Sequence, residues 1–439
     1  MKLEQRTTIP PEHQPVLVAG TRTPFLESAG LYAELMSYEL GSFSLAALLD
    51  RSGVPADAIE LVVMGTVLHE VETTNVAREA MLAAGMHSRT PAYTVAMAGI
   101  SPNVGFVNIA DQIALGRLKL GIAAGTENFS DTPIRLSQNI RRGLMKLRQR
   151  KQLGERLKVL ASLRPGDLTL EIPQSSDYTT GLTMGEACER MVKGYGATRE
   201  ASDRYAAEAH ARAIAARDDG RHASQIAPVR NKAGALAEHD NSPRADASVE
   251  RLAGLKPVFD PAHGIITAGN ASRFTDGAGA LLLASQEEAA RRQLRPMALV
   301  RDHLLSGVDS LQDEMLFGPA MTIPRLLAEN GLHFEDIDVW ELHEAFAAQI
   351  LINIDRMADA DFIAERHGAG VPHGRIPLER LNTWGGSLSL GNPFAATGCR
   401  LLLTAAQRLQ QEQTRFAVVS TCAGGGLGAA ILLERPGAA

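Results

Sequence analysis

The stretch Tyr93-Thr-Val-Ala-Met-Ala-Gly-Ile-Ser-Pro-Asn103 passes from strand-like to helix-like residues within a few positions. Ala92 to Met97 is a short apolar run and predicts a strand. Ser101 and Pro102 predict a helix start, with the hydroxyl as N-cap and proline at the first helical position. Asn103 to Leu115 is almost wholly apolar, so the helix should be buried. Gly99 is the corner residue between the two elements. Backbone N–H groups and the positive end of the helix dipole meet at such a corner, where an anionic nucleophile or an oxyanion is stabilised. That geometry asks for cysteine or serine, and the sequence supplies glycine. Ser101, the nearest hydroxyl, stands where the N-cap is needed.

Outward from this corner, strand and helix alternate. Pro15 to Ala19, Ile59 to Val67 and Leu118 to Gly125 predict strands, and Tyr38 to Arg51 and Asn75 to Gly85 predict helices. The alternation signals an α/β layered fold with a mostly buried sheet. The rhythm breaks near Asp131. Arg135 to Arg164 carries ten Lys/Arg and one acid, Glu155. Its apolar residues, among them Ile140, Leu144, Leu147, Leu153, Leu157 and Leu160, keep helical spacing. This predicts a basic helical hairpin, either a solvated cover or a surface for an anionic membrane, a partner subunit or ligand phosphates. Arg199 to Asp218 predicts a long helix, and 229–255 reads as polar loop. The rhythm resumes at Gly264 to Ser272 and Thr275 to Ala284. It continues through a strand at Ile337 to Leu342 that ends in His343-Glu344-Ala-Phe346. Two glycine-rich motifs follow, Gly385 to Pro393 and Val418 to Gly426. A strand ending in a functional-looking corner thus occurs in both halves, as expected for two copies of one unit with a lid inserted in the first. The expected division is 13–130 plus 256–288 for the N-terminal half, 131–255 for the insert and 289–439 for the C-terminal half.

Composition narrows the class. The chain has 439 residues, 45% hydrophobic and 21% charged, with a net charge of −6. That is ordinary for a globular protein and gives no bulk reason to expect nucleic acid. Three cysteines, Cys188, Cys399 and Cys422, argue against a disulfide framework and for a reducing compartment. No apolar run approaches the ~20 residues of a membrane span. Residues 1–13 read as a disordered lead without a secretory core, so a cytoplasmic location is expected. Cys188 and Cys399 read as packing residues.

Several motifs together carry a family resemblance. They are Arg22-Thr-Pro-Phe, Asn75-Val-Ala-Arg-Glu, Gly125-Thr-Glu127 and Thr180-Gly-Leu-Thr-Met-Gly-Glu186. Ala268-Gly-Asn-Ala-Ser272 with Asp276-Gly-Ala, His343-Glu-Ala-Phe-Ala-Ala-Gln349, Gly391-Asn-Pro-Phe-Ala-Ala-Thr-Gly398 and Cys422-Ala-Gly424 complete the set. In this order the chain resembles the thiolase superfamily, most of all its β-oxidation branch, the 3-ketoacyl-CoA thiolase subunits of fatty-acid oxidation complexes. The resemblance implies a five-layered αβαβα thiolase fold of two similar halves with an inserted loop domain. It also implies a homodimer or homotetramer, an acyl-CoA thioester as ligand and no tightly bound cofactor or metal.

In that family a corner cysteine attacks the thioester, activated by the histidine of a Gly-His-Pro motif. A second cysteine, in Cys-x-Gly, moves the α-carbon proton. By resemblance Cys422 is the acid/base cysteine and Gly424 its oxyanion glycine. His343 and Glu344 match the motif that orients a catalytic water. Ser272 and Asn270 lie along the pantetheine arm, and Met184 lines the acyl pocket. Gly99 stands at the nucleophile position and Asn392 at the activating histidine. The expected outcome is a CoA-thioester-binding, acyltransferase-like protein without ordinary ping-pong thiolysis. The alternatives are a C–C lyase or hydrolase acting on a CoA thioester, and an inactive binding or scaffolding subunit.

Overall fold

The computed structural model describes residues 9–173 and 176–438. Residues 1–8 of the expected lead lie outside the described residues, and Pro11–His13 forms a short 3-10 turn. A mixed sheet crosses the molecule in the order Val339–Leu342, Phe416–Ala423, Leu427–Glu434, Ala298–Gly307, Pro15–Arg22, Thr275–Ser285, Leu120–Glu127, Leu61–Gly65 and Ala92–Val95. It joins two half-sheets through a short register, Val16 against Leu299 and Leu17 against Ala298. In the N-terminal half Leu61–Gly65 runs parallel to both its neighbours. In the C-terminal half Val339–Leu342 runs parallel to Phe416–Ala423 and, through Trp340 and Leu381, to a second extended segment.

The two-residue period of the strands builds the layers. Leu61, Val63, Ala123, Leu281 and Leu283 face one way, and from the other half Ala417, Val419, Ile431 and Leu433 face them. Between them lie two central helices, Ser101–Ala114 and Phe394–Glu412, which contribute Phe106, Ile109, Leu402 and Leu409. The alternate residues Val62, Met64, Ile122, Ala280 and Leu282 face outward onto helices Ser37–Ser52 and Val76–Ala83. Trp340, Leu342, Val418, Ala430 and Leu432 face helices Gly318–Glu329 and Ala347–Ala358. The result is helix, sheet, paired helices, sheet, helix. Each large side chain buried this way contributes on the order of 1.5–3 kcal/mol.

Glycines let the central layer close. A Cβ on Gly398 would lie 2.3 Å from Asn103 Oδ1 and 2.9 Å from Pro102 Cγ. One on Gly125 would lie 1.6 Å from the Ala395 carbonyl oxygen. The first turns of the two central helices therefore meet each other, and both positive ends arrive at one place.

Several expectations change in detail. Ser101 is the first helical residue and Ile100 the N-cap, because the Ser101 hydroxyl is taken up by the chain before it. The first strand of the quoted stretch ends at Val95. Gly264 to Ser272 is loop, while 229–255 holds a two-stranded ribbon and the short helix Val249–Ala253. The parts of the insert pack differently. Its hairpin, Gln138–Gln149 and Leu153–Ala161, buries little beyond Ile140 and Gly143. Helices Met184–Tyr195 and Arg199–Asp218 instead place Cys188, Met191, Tyr205 and Ala209 in the C-terminal core.

Candidate active site

The corner is built by its own side chains and by one strained residue. Ser101 Oγ donates to the Ala98 carbonyl at 2.6 Å and accepts from the Met97 N–H at 2.8 Å. Its hydroxyl is fully buried in tying the turn. Ala98 holds φ at 46°, the left-handed region that alanine rarely adopts. Gly99 itself lies outside that region. A Cβ on Gly99 would meet only Ala423 Cβ at 3.8 Å and the Cys422 carbonyl oxygen at 4.0 Å, ordinary contacts. Neither packing nor backbone conformation requires glycine at position 99.

Opposite the corner stands the end of strand Phe416–Ala423. Cys422 is buried, and burial pushes its thiol up to about 12, so it is a protonated donor at neutral pH. Gly424 follows in the turn, where a Cβ would lie 3.4 Å from Met184 Sδ. Met184 opens a helix whose N-cap, Thr183, shares a reciprocal pair of hydrogen bonds with Glu186. Gly99, Gly424, Met184 and Ser272 are all partly exposed, whereas Cys422, His343 and Asn392 are buried.

The second central helix brings the remaining polar groups. The His343 N–H donates to the Ser420 carbonyl at 2.9 Å, which fastens the His-Glu-Ala-Phe segment beside the cysteine strand. Its imidazole Nδ1 lies 2.9 Å from Ser387 Oγ and its Nε2 3.4 Å from Asn392 Nδ2. Burial and the Arg400 guanidinium push His343 down to about 3, so the ring is uncharged at neutral pH. Thr397 Oγ1 donates to Asn392 Oδ1 at 2.8 Å, and Asn392 Nδ2 reaches Ser272 Oγ at 3.4 Å. The preceding Gly391 does need to be glycine: φ is 92° and a Cβ would lie 2.3 Å from Thr275 Cγ2.

Two expected site residues spend their side chains on other partners. The Glu344 carboxylate accepts from the Tyr205 hydroxyl, the Asn382 amide and the Leu388 N–H. It joins the long insert helix to the His-Glu-Ala-Phe strand end, and Gly386 is glycine because a Cβ there would lie 2.1 Å from Glu344 Oε2. Asn270 is buried, donating to Asp203 Oδ1 and the Ile265 carbonyl and accepting from the Thr267 N–H. It shapes the segment that carries Ser272. Other motif residues are scaffold too. Arg22 grips Asp240 through two hydrogen bonds at 2.6 and 2.8 Å. Glu127 accepts the N–H groups of Val67, Leu68 and Ala395.

Two buried residues behind the site have no role in the sequence reading: Ser387, inside the Gly385 to Pro393 motif, and Arg400, outside any motif. The available signal was an arginine inside the otherwise apolar run Cys399-Arg-Leu-Leu-Leu403. Among the described residues no group of His, Cys, Asp and Glu is arranged to hold a metal ion.

Comparison with known proteins agrees with this geometry. The model of the thiolase N-terminal domain matches residues 15–287, and that of the thiolase C-terminal domain matches residues 294–435. The mitochondrial trifunctional enzyme subunit beta of Mus musculus is 41% identical over 420 residues, covering 95% of this chain and 88% of that protein. The crystal structure of a Bacillus anthracis acetyl-CoA acetyltransferase superposes with a TM-score of 0.82 at 30% identity, covering 97% and 99% of the two chains. Human mitochondrial 3-ketoacyl-CoA thiolase in complex with CoA superposes at 0.80 with 27% identity, covering 97% and 98%. With a five-layered fold of two similar halves, two central helices whose N-terminal ends meet and both halves matched, this chain belongs to the thiolase family.

Proposed function

We propose that this protein binds acyl-CoA thioesters and polarises their carbonyl group, in fatty-acid or related acyl-CoA metabolism, without the covalent acyl transfer of a ping-pong thiolase. The carrying observation is Gly99, a corner with room for a side chain that has none. In this reading Gly99 occupies the nucleophile position and Asn392 the position of the activating histidine. No neighbour restores the lost step. The Ser101 hydroxyl is committed to the turn, Asn392 is an amide without base function, and the uncharged His343 turns Nε2 to Asn392.

Charge stabilisation survives the loss. The main-chain N–H groups at Gly99 and Gly424 and the Asn392 amide serve as donors to the thioester oxygen. Met184 borders the acyl group. Ser272 lies along the pantetheine arm, in a segment that Asn270 holds in place. A homodimer or homotetramer is the proposed assembly. The hairpin, with Arg142, Lys146, Arg148 and Lys158 on an exposed surface beside Leu144, Leu153 and Leu157, is the proposed contact for an anionic membrane or a partner subunit.

Cys422 favours a second reading, C–C lyase or hydrolase chemistry on the bound thioester. In a retro-aldol cleavage of a 3-hydroxyacyl thioester the β-carbon leaves as an aldehyde or ketone, its hydroxyl proton passing to water, and the protonated thiol delivers its proton to the α-carbanion left behind. The test is to measure CoA-dependent cleavage of 3-ketoacyl-CoA beside calorimetric binding of acetyl-CoA. Binding with negligible thiolysis supports the proposal, and robust thiolysis overturns it.

A further inference from the structure

Arg400 is fully buried in the helix Phe394–Glu412, and its Nε and Nη1 have no hydrogen-bond partner among the described residues. A buried guanidinium left partly unpaired is costly, so its position calls for a physical reason. Its one side-chain hydrogen bond, from Nη2 to Ser387 Oγ at 3.0 Å, leads toward the site. Ser387 Oγ lies 2.9 Å from His343 Nδ1, and His343 Nε2 lies 3.4 Å from Asn392 Nδ2. At the far end Thr397 donates to Asn392 Oδ1 and so orients the amide with its NH2 toward His343 and Ser272.

These contacts form a chain with a direction. An NH2 group facing Nε2 requires a lone pair there, so the imidazole proton is on Nδ1 and donates to Ser387 Oγ. The positive guanidinium beyond Ser387 disfavours a second proton on the ring. Glu341, Glu344 and Asp240 are the carboxylates whose charge reaches Arg400, with the Arg22 guanidinium opposing them, and Glu344 is held by Tyr205, Asn382 and Leu388 rather than by the imidazole.

We propose that Arg400 and Ser387 are positioning residues that fix His343 as its uncharged Nδ1–H tautomer, so that bare Nε2 anchors one N–H of Asn392 and the other, which reaches Ser272 Oγ at 3.4 Å in the ligand-free protein, turns to the thioester oxygen when the ligand binds. The proposal rests on the reading that Asn392 borders the thioester. Its primary readout is made on ligand-free protein, so its failure and the failure of that reading are distinguishable.

The experiment uses full-length protein labelled with 15N-histidine, with the His343 signals assigned by loss in His343→Asn. The wild type should show protonated Nδ1 and bare Nε2, unchanged from pH 8 to pH 5. Ser387→Ala should move proton density to Nε2, and Ser387→Thr, which keeps a hydroxyl, should restore the wild-type pattern. A wild-type Nε2–H tautomer, titration to imidazolium above pH 5, or an unchanged spectrum in Ser387→Ala would overturn the proposal. Affinity supplies a second readout. Ser387→Ala should weaken acetyl-CoA binding roughly threefold to tenfold, the scale of one hydrogen bond. It should leave S-ethyl-CoA, which lacks the thioester carbonyl, unchanged. Equal losses for both ligands would mean a purely structural role.

Discussion

Placing a side chain at Gly99 tests the reading of the corner at its foundation. The contacts at 3.8 and 4.0 Å leave a Cβ in ordinary van der Waals range, and the backbone there is not left-handed. Gly99→Ala should therefore cost the folded state nothing through packing. It removes backbone freedom from the unfolded chain, which is worth about 0.4–1 kcal/mol in favour of the fold. Gly125→Ala is the internal contrast. Its Cβ would lie 1.6 Å from a backbone oxygen that cannot move without displacing the second central helix, and the loss should exceed about 3 kcal/mol. Chemical denaturation monitored by circular dichroism separates the two. Gly99→Cys then adds a thiol over a helix N-terminus, but no base stands beside it. Intact-mass spectrometry should find little acylation by acetyl-CoA in Gly99→Cys and clear acylation in Gly99→Cys with Asn392→His. A loss of more than about 1 kcal/mol in Gly99→Ala would refute the packing argument. Absence of acylation in the double variant, with thioester binding intact, would show that the covalent step was lost elsewhere.

Cys422, Cys188 and Cys399 are buried, and burial pushes Cys422 and Cys399 up to about 12 and Cys188 well above its ordinary value. Iodoacetamide at pH 8 should leave all three unmodified for many minutes in native protein, and one fast-reacting thiol would show that the site holds a thiolate. Burial pushes Glu127 up to about 7. A carboxyl raised in the folded state stabilises the fold fully below its unfolded value near 4.3 and loses that contribution as pH rises through 7. Glu127→Gln should therefore gain stability relative to wild type between pH 5 and 7, by up to about 1.4 kcal/mol per pH unit; a flat difference would show that Glu127 titrates normally. Charge reversal at Arg142, Lys146, Arg148 and Lys158 should abolish sedimentation with anionic vesicles or capture of a partner subunit. Arg141 is left in place because it pairs with Glu171, which follows the hairpin. Equal binding by variant and wild type would return the hairpin to a solvated cover.

The layers were legible because strand alternation is local: Val62 and Met64 against Leu61 and Val63 already say that both faces of the sheet are covered. The corner was legible because Ser-Pro after an apolar run has few other readings. What pairs with what across the chain was not. Glu344 and Asn270 carry motif identities, yet their side chains turn to Tyr205 and Asp203, more than sixty residues away, and no local pattern encodes that direction. Ser101 looked like an N-cap because serine before proline usually is one. Here its hydroxyl bonds backward to Ala98 and Met97 and makes it the first helical residue instead. The insert read as a single unit because amphipathic spacing names an apolar face but not the surface that covers it. Its helices Met184–Tyr195 and Arg199–Asp218 pack into the C-terminal core.

Intact-mass spectrometry of the wild-type protein saturated with acetyl-CoA, with saturation shown by calorimetry on the same sample, tests the central claim most directly. The account predicts a bound thioester and an unmodified polypeptide mass at every time point. A stable mass increase of one acetyl group would contradict it, since a nucleophile other than residue 99 would then be forming an acyl-enzyme.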